Sequence, residues 1–374
     1  MTLAVSSYMN VQGLADRPGL LNLAWTLDER GLLSVDIDSL IAEELEREAR
    51  EGLSFINRYM VTDPYGADAL APAIDTFFGW NGGPGTVTCA AGVVSALHAL
   101  ARLPDTRPVC ILRDSYLDLP CWAERAGRRC IALDPAVSPD GYAQSISESG
   151  ASLLALERPR LLDDRLSTLS EVAALCDMAA HYGTLVLIDE SHANYRPPAY
   201  SAVTLVEDAA NLIVTRGLSK SYGLGSLRLS YCVASNATTE IIRTLIPPLQ
   251  PSSLSFRIGT RILQLGDIAA RQRERIREMK QEMQSLFRQA ELPGVLPSSE
   301  GLPYVFFDHD VDRIHTDLAA RGVLGKVHQV WPDTEAGRGR YYRLSVPLSD
   351  VRFTDLRRIL LESKGHTHHS EKPQ

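Results

Sequence analysis

The sequence lacks long hydrophobic runs, an excess of basic residues and a secretory leader pattern. No stretch of about 18 apolar residues occurs, so the sequence predicts no membrane-spanning helix. Lys and Arg number 38 against 46 Asp and Glu, giving a net charge of -8. This balance argues against nucleic-acid binding, because neutralising phosphates requires a basic face. The first residues show no charged segment followed by an apolar run, which predicts no signal peptide.

The sequence also lacks a CxxC pair, although it contains six cysteines. Most of them lie in apolar stretches, which predicts buried free thiols in a reducing compartment rather than disulfides or a zinc site. We therefore expect a cytoplasmic protein. The cysteines are Cys89, Cys110, Cys121, Cys130, Cys176 and Cys232.

The length of 374 residues allows two domains, and the composition is that of an ordinary globular protein. Runs rich in Val, Leu and Ile alternate with helical segments, which predicts a mostly parallel sheet with helices on both faces. The most strand-like run is Thr184 to Ile188. Functional sites in such sheets lie beyond the carboxyl ends of the strands.

A loop of small residues containing Lys220 separates two apolar runs, Leu212 to Val214 and Leu229 to Val233. A desolvated lysine loses proton affinity, which suits Schiff-base and general-base chemistry. The alternative interpretation is an exposed loop lysine beside an ordinary strand. The loop ends at Arg228, eight residues after the lysine.

The pattern Ser-Lys-x-x-Gly-x-x-x-x-Arg from Ser219 to Arg228 resembles the cofactor-lysine motif of class I/II aminotransferases. These are fold-type-I enzymes that depend on pyridoxal 5′-phosphate (PLP), and the histidinol-phosphate aminotransferase branch is the most similar. The resemblance extends roughly from Asn22 to Val346. It implies a three-layer α/β fold, with a mostly parallel central sheet in a large domain and a smaller α+β domain.

The resemblance also implies a division of the chain into domains. A helical pattern over 38–50, with Ile41, Leu45 and Ala49 on one face, would open the large domain. The expected division is an N-terminal arm with part of the small domain (1–37), the large PLP-binding domain (38–253), a linking helix (254–292), the small C-terminal domain (293–363) and a disordered tail (364–374).

Four residues are expected to act on the cofactor ring and its aldehyde. By resemblance, Lys220 would form the Schiff base with PLP and move the substrate proton, and Asp189 would pair with the pyridine nitrogen. Tyr116 would stack on the ring. His192, where aminotransferases commonly have tyrosine, would hydrogen-bond the phenolic oxygen.

The cofactor phosphate is expected at the turn Ala90, Ala91 and Gly92, where a short strand leads into a helix. Small residues allow close approach of the backbone, and a helix N-terminus favours an anion. Arg228 would clamp the phosphate with its planar fork, and Ser219 would add a hydroxyl.

The substrate is expected to be a small α-amino acid. Arg343 matches the arginine that grips the α-carboxylate, with Arg340 as a rival candidate, and Asn22 is a further expected substrate contact. Tyr59 matches a tyrosine that reaches the phosphate in the partner subunit, which implies a homodimer. No nucleic-acid or membrane partner is expected.

Several positions depart from the family pattern. Leu161 stands where a family Asn contacts the phenolic oxygen, and Gly217 stands where a hydroxyl residue is usual. Arg158 and Arg160 would add positive charge near the mouth of the site, unless they are solvated loop residues.

These departures leave more than one function open. The first is an aminotransferase, and the alternative is a PLP enzyme of secondary metabolism that uses the same carbanion for elimination, replacement, cyclisation or carbon–carbon bond formation. A PLP-binding regulator without turnover is disfavoured, because the chain has no room for a basic DNA-binding module.

Overall fold

The computed structural model describes residues 19–52, 61–103, 105–134, 139–163, 168–292, 295–331 and 340–362. The strands are β1 (Leu21–Asn22), β2 (Val87–Ala90), β3 (Val109–Leu112), β4 (Ser115–Tyr116), β5 (Cys130–Leu133), β6 (Leu153–Glu157), β7 (Leu185–Asp189), β8 (Leu212–Gly217), β9 (Ser230–Ala234), β10 (Tyr304–Phe307), β11 (Val323–Leu324), β12 (Lys326–Trp331) and β13 (Arg340–Ser345).

The helices surround these strands. They are α1 (Ile37–Arg50), α2 (Ala67–Phe78), α3 (Val93–Leu100), α4 (Asp118–Arg125), α5 (Pro139–Ser149), α6 (Leu169–Ala180), α7 (Asn236–Leu245), α8 (Ser253–Gln264), α9 (Ala270–Gln289), α10 (Val311–Ala320) and α11 (Asp350–Glu362). A capping box opens α6, where Thr168 and Glu171 exchange side-chain to backbone hydrogen bonds.

A seven-stranded sheet with the order β2-β9-β8-β7-β6-β3-β5 forms the centre of the larger part. β5, β3, β6, β7 and β8 are parallel, whereas β9 runs antiparallel to both of its neighbours. Alternate side chains of each strand enter apolar clusters on opposite faces, as Val186 and Leu187 show. The three-layer α/β fold predicted from the sequence is confirmed.

A second, four-stranded sheet has the order β10-β13-β12-β4 and is antiparallel. Three of its strands come from the C-terminal part, but β4 follows β3 of the large sheet, and Tyr116 pairs with Val330. The short strands β1 and β11 form a separate parallel pair. The second sheet therefore closes over the carboxyl ends of the first.

The helix predicted over 38–50 is confirmed as α1, but its buried face is not the apolar stripe of Ile41, Leu45 and Ala49. The structure buries Leu40, Glu44 and Glu48, while Leu45 is 46% exposed. Packing against α8 selects the other face, because the two glutamates lie next to arginines of α8.

The expected linking segment 254–292 is divided into α8 and α9 around Gly266, which has a φ of 71°. One face of α9 is buried and includes Ile276, Met279 and Met283. The domain boundaries themselves stay a prediction. All six cysteines are free, and Cys89, Cys110, Cys176 and Cys232 are buried. Within the described ranges, no helix combines the length and hydropathy that crossing a bilayer requires.

Candidate active site

A cavity of about 120 Å³ lies between the carboxyl ends of the large sheet and the second sheet. Its large-sheet wall carries Glu157, Asp189 and Lys220, which lie at or just after the ends of β6, β7 and β8. The opposite wall comes from β12 and β13. The topology thus brings together residues more than 150 positions apart in the chain, such as Glu157 and Arg343.

Lys220 lines this cavity beside Ser219, three residues after β8 ends at Gly217. It is half-buried rather than a freely solvated loop lysine. Its carbonyl accepts hydrogen bonds from the Tyr222 N–H at 2.8 Å and from Asn194 Nδ2 at 3.4 Å. Two hydrogen bonds therefore fix the carbonyl of the lysine.

A buried ion network supports this loop from below. Glu190 is fully buried, and its two carboxylate oxygens accept from Arg158 and Arg216. Arg216 also donates to Asn194 Oδ1 at 2.7 Å, and Asn194 Nδ2 donates to the Gly217 carbonyl at 2.7 Å. The network links the end of β6 to the segment that carries the lysine.

Asp189 ends β7, and its carboxylate lines the cavity while the next residue turns into the network below. Its Oδ1 accepts from the Ser191 N–H at 2.9 Å, from the Ser191 hydroxyl and from Thr215 Oγ1 at 3.4 Å. Burial raises the pKa of the Asp189 carboxyl, and these hydrogen bonds oppose the shift. A cationic group next to Asp189 would favour the ionised form.

Glu157 is a cavity carboxylate that sequence reasoning missed. It is the register partner of Asp189 on the neighbouring strand, and its Oε1 accepts from the Tyr116 N–H. Burial raises the pKa of Glu157 to about 7, against this hydrogen bond and with a further contribution from the Asp189 charge. Glu157 could have been predicted from the sequence, because it is a carboxylate at the end of an apolar run.

Aromatic rings border the cavity on the side of the second sheet. Tyr116 lies nearly parallel to the His328 ring, with centroids 6.4 Å apart and 27° between the planes. His192 stacks on Tyr195 at 6.4 Å and meets Tyr304 edge-on at 5.8 Å. Burial, followed by the charges of Lys220 and Arg343, holds the pKa of His192 well below its ordinary value, so its imidazole is neutral.

The expected phosphate turn lies where β2 leads into α3. Ala90 ends the strand, Gly92 caps the helix with a φ of 85°, and Val93 and Val94 of the first turn line the cavity. N–H groups in the first turn of a helix have no intrahelical acceptor. The Ala91 N–H, in contrast, donates to Gln250 Oε1 at 2.9 Å, and the Gly92 N–H donates to the Ala90 carbonyl at 2.8 Å. The three residues of the expected turn do not themselves line the cavity.

Arg228 lies beside this turn and lines the cavity. Its Nη2 donates to the Ala91 carbonyl at 3.2 Å and its Nη1 to the Gly225 carbonyl at 3.0 Å. A Cβ at Gly92 would lie 2.1 Å from Arg228 Nη2, so this arrangement requires glycine. The turn and the arginine thus form one cradle.

Arg343 is 6% exposed and lines the cavity from β13. Its Nη2 donates to the Ala24 carbonyl at 2.8 Å, and its guanidinium lies 4.6 Å from the Tyr304 ring centroid. Its Nε has no hydrogen-bond partner among the described residues. The rival Arg340 instead forms an ion pair with Asp312 at 2.7 Å outside the cavity wall.

The structure does not bring every expected residue to the cavity. Asn22 does not line it; its Oδ1 accepts from the Ala24 N–H at 3.0 Å, and Trp25 supplies the lining from this segment. Tyr59 lies outside the described residues.

Arg158 and Arg160 were interpreted as charges at the mouth or as solvated loop residues, and the solvated-loop interpretation was wrong; the charge of Arg160 does act on Glu157 of the cavity. The two arginines are 1% and 4% exposed, because Arg158 joins the Glu190 network and Arg160 pairs with Asp163 at 3.2 Å.

Two of the departures from the family pattern have structural explanations. Leu161 lines the cavity and packs into the apolar cluster of the C-terminal part, so its side chain adds no hydrogen-bond donor there. A Cβ at Gly217 would lie 3.0 Å from Val93 Cγ2. The packing of α3 against β8 therefore disfavours a larger residue at position 217.

Comparison with known proteins places this geometry in a family. The sequence model of aminotransferase class I and II matches residues 47–331. Histidinol-phosphate aminotransferase 2 of Pasteurella multocida is 25% identical over 56% of this chain, and the alignment likewise spans 56% of that relative. The chain thus spans about half the length of this curated relative.

Solved structures extend the likeness to nearly the whole chain. The histidinol-phosphate aminotransferase from Clostridium acetobutylicum superposes with a TM-score of 0.75, at 12% identity, over 92% of this chain and 99% of its own. That from Sinorhizobium meliloti, in complex with pyridoxal-5′-phosphate, gives 0.72 at 17% identity over 96% and 95%. The chain belongs to the class I and II aminotransferase family.

Proposed function

We propose that this chain is a PLP-dependent aminotransferase that acts on an α-amino acid, with Lys220 as the lysine that anchors the cofactor. The observation that carries the proposal is the meeting of Lys220, Asp189 and Arg343 in one cavity, from three separate elements of the fold. The aminotransferase names of the relatives support it.

The residues present fit PLP. The first turn of α3 and Arg228 would hold the phosphate, and Gly92 leaves the room that this arrangement needs. Asp189 stands at the end of the central strand, where a pyridine nitrogen would find a carboxylate, and Tyr116 offers an aromatic face. The unpartnered Nε of Arg343 marks that side chain as available to a ligand carboxylate.

Bound PLP supplies an aldehyde for covalent attachment and an electron sink for the charge that develops at the substrate Cα. Lys220, once released, would carry a proton between the substrate Cα and the cofactor C4′. Asp189 would hold a proton at the pyridine nitrogen, because its carboxylate stabilises a neighbouring cation. Arg343 would orient the α-carboxylate by a bidentate pair, and the neutral His192 would hydrogen-bond the phenolic oxygen.

The alternative outcomes of elimination, replacement, cyclisation or carbon–carbon bond formation are less well supported. Leu161 and His192 are the observations in their favour, because Leu161 leaves the phenolic oxygen without a donor from this position and His192 replaces the tyrosine that is common in aminotransferases. The names of the relatives favour transamination over these outcomes. Product analysis with a panel of amino acids separates the two, since transamination yields the keto acid and pyridoxamine phosphate.

A homodimer is part of the proposal, with Tyr59 contributed across the interface; its test is the mass in solution and the PLP affinity of Tyr59→Phe. The six free cysteines support a reducing compartment such as the cytoplasm.

The experiment that tests the proposal uses the purified protein loaded with PLP. We expect an imine absorbance band that Lys220→Ala abolishes, and a shift to the pyridoxamine form on adding the right amino acid. Lys326→Met is the matched control, because Lys326 is a second lysine that lines the cavity, on the wall opposite Lys220. An imine band that survives Lys220→Ala, or one that Lys326→Met removes, contradicts the assignment.

A further inference from the structure

The wall of the cavity formed by the second sheet carries three nitrogen-bearing side chains, Lys326, His328 and Arg343. Lys326 and His328 are two residues apart on β12, so their side chains point to the same face of the sheet. Arg343 is the register partner of Lys326 on β13. We call this set the basic wall.

His328 is the member of the basic wall whose hydrogen-bonding capacity is unused. It is 2% exposed, and neither Nδ1 nor Nε2 has a hydrogen-bond partner among the described residues. Its ring faces Tyr116 and meets Phe306 edge-on at 6.1 Å, so aromatic contacts fix its orientation. A neutral imidazole has one donor and one acceptor nitrogen, and buried polar atoms of this kind are normally paired. A ligand group would satisfy them.

The electrostatic environment of His328 favours an anion. Its pKa lies well below the ordinary value because of burial and then because of the charges of Arg343 and Lys326, with a smaller contribution from Lys220. These three side chains are cations, so a negative group that enters here is attracted from several directions.

Acidic groups lie at the borders of the basic wall. Glu157 and Asp189 face the cavity from the large sheet, where the cofactor ring is expected. Asp118 lies near Lys326 and partly offsets its positive charge; the pKa of Lys326 is nevertheless lowered to about 8, by burial and then by Arg343 and Lys220. The potential at His328 is therefore set mainly by the cations.

We infer that His328, assisted by Lys326, binds a second anionic group carried on the side chain of the substrate, while Arg343 binds the α-carboxylate. The inference rests on the proposed function and names its substrate class: an α-amino acid with an acidic side chain, either a carboxylate or a phosphate ester. His328 is then a specificity-determining residue, because it contacts the part of the substrate that differs between amino acids.

The test measures binding of unreactive substrate mimics to the PLP-loaded protein by titration calorimetry, with the cofactor absorbance as a second readout. Succinate and butyrate have the same chain length and differ by one carboxylate, and 3-phosphonopropionate carries a phosphorus acid in its place. We expect at least about tenfold tighter binding of one diacid than of butyrate, as expected for one additional charge-assisted contact. The tighter of the two diacids identifies the side-chain acid.

Variants of His328 test whether this residue causes the preference for diacids over butyrate. His328→Phe keeps the aromatic packing against Tyr116 and removes both ring nitrogens; we expect it to bind succinate and butyrate equally and to leave butyrate affinity unchanged. His328→Gln, which retains a donor and an acceptor, should keep part of the preference. His309→Phe, at an exposed position outside the cavity, is the matched control and should behave like the wild type.

The outcomes separate this inference from the proposed function. Equal binding of all three acids by the wild type, or an undiminished diacid preference in His328→Phe, overturns the inference while transamination itself stands. A protein that prefers diacids but converts no amino acid to its keto acid leaves the subsite in place and overturns the aminotransferase proposal. Thermal melting of each variant verifies that it is folded.

Discussion

Glu157 and Asp189 are register partners at the carboxyl ends of two adjacent parallel strands, and both line the candidate active site. Two carboxylates held side by side away from water disfavour each other's ionised form. The pKa of both groups is raised by burial, that of Glu157 to about 7. A cation at this edge of the cavity, such as a protonated pyridine ring, would relieve the repulsion.

The first prediction concerns stability against pH in the cofactor-free protein. The pKa of Glu157 is raised from 4.5 to about 7, so its protonated form stabilises the fold below pH 4.5, and this stabilisation is lost as pH rises towards 7. Glu157→Gln cannot ionise and should be more stable than wild type at pH ~8, by about 3 kcal/mol at most. Urea unfolding at pH ~5 and ~8 measures the difference.

The control for this prediction is Glu148→Gln, an exposed glutamate of α5. It should unfold like the wild type at both pH values. If Glu157→Gln tracks the wild type across the same range, Glu157 is not a buried, proton-binding group.

The second prediction concerns Glu190, whose two oxygens bind two buried arginines. Glu190→Gln removes the negative charge that Glu190 supplies to Arg158 and Arg216, which should reduce the free energy of unfolding by about 3–5 kcal/mol. Chemical denaturation measures the loss. Glu240→Gln removes a surface pair with Arg243, and its effect should stay below about 1 kcal/mol. A comparable effect of the two substitutions would show that the buried network does not stabilise the fold.

The third prediction separates backbone strain from loss of the cradle. Gly92 and Gly127 have φ values of 85° and 81°, but only at Gly92 would a Cβ meet a neighbour, Arg228 Nη2 at 2.1 Å. Both alanine variants should lose about 1–2 kcal/mol of stability through strain. Gly92→Ala alone should weaken PLP binding, about tenfold or more, because it displaces a charge-assisted contact to the phosphate. Absorbance titration measures the PLP affinity of both variants. Equal PLP affinities of Gly92→Ala and Gly127→Ala would exclude Arg228 from the cradle.

The fourth prediction concerns Gly217, whose position is usually occupied by a hydroxyl residue in the family. Gly217→Ser places a side chain 3.0 Å from Val93 Cγ2, so we expect weaker cofactor binding rather than a gain. Adding Val93→Ala should restore affinity by removing the clash. The double-mutant cycle is measured by PLP titration, and additive effects would show that the two positions do not interact.

Much of the fold could be predicted because it is encoded locally. The apolar runs at 185–188 and 212–214 lie within strands of the structure, and a capping box at Thr168 and Glu171 opens α6. These features depend on neighbouring residues alone. The face of α1 could not be predicted in this way, since packing against α8 and its arginines decides between two similar stripes.

In the candidate site, too, some residues could be predicted from the sequence and others could not. Lys220, Asp189 and Arg228 were found because they match the residue pattern of a known family, and the structure places all three in one cavity. Glu157 was missed although it ends a strand, because the sequence does not tell which side chain at a strand end turns toward the cavity. Arg158 shows the converse, since its side chain turns into a buried ion network instead.

The sequence by itself determined the elements, their alternation and the lysine motif, because these depend on residues a few positions apart. Only the tertiary structure decided that Lys326, His328 and Arg343 face Lys220, more than 100 residues away along the chain. Their meeting depends on how the second sheet packs over the ends of the first, joined through β4 and β12. Burial then sets the charge state of these groups, which local sequence does not determine.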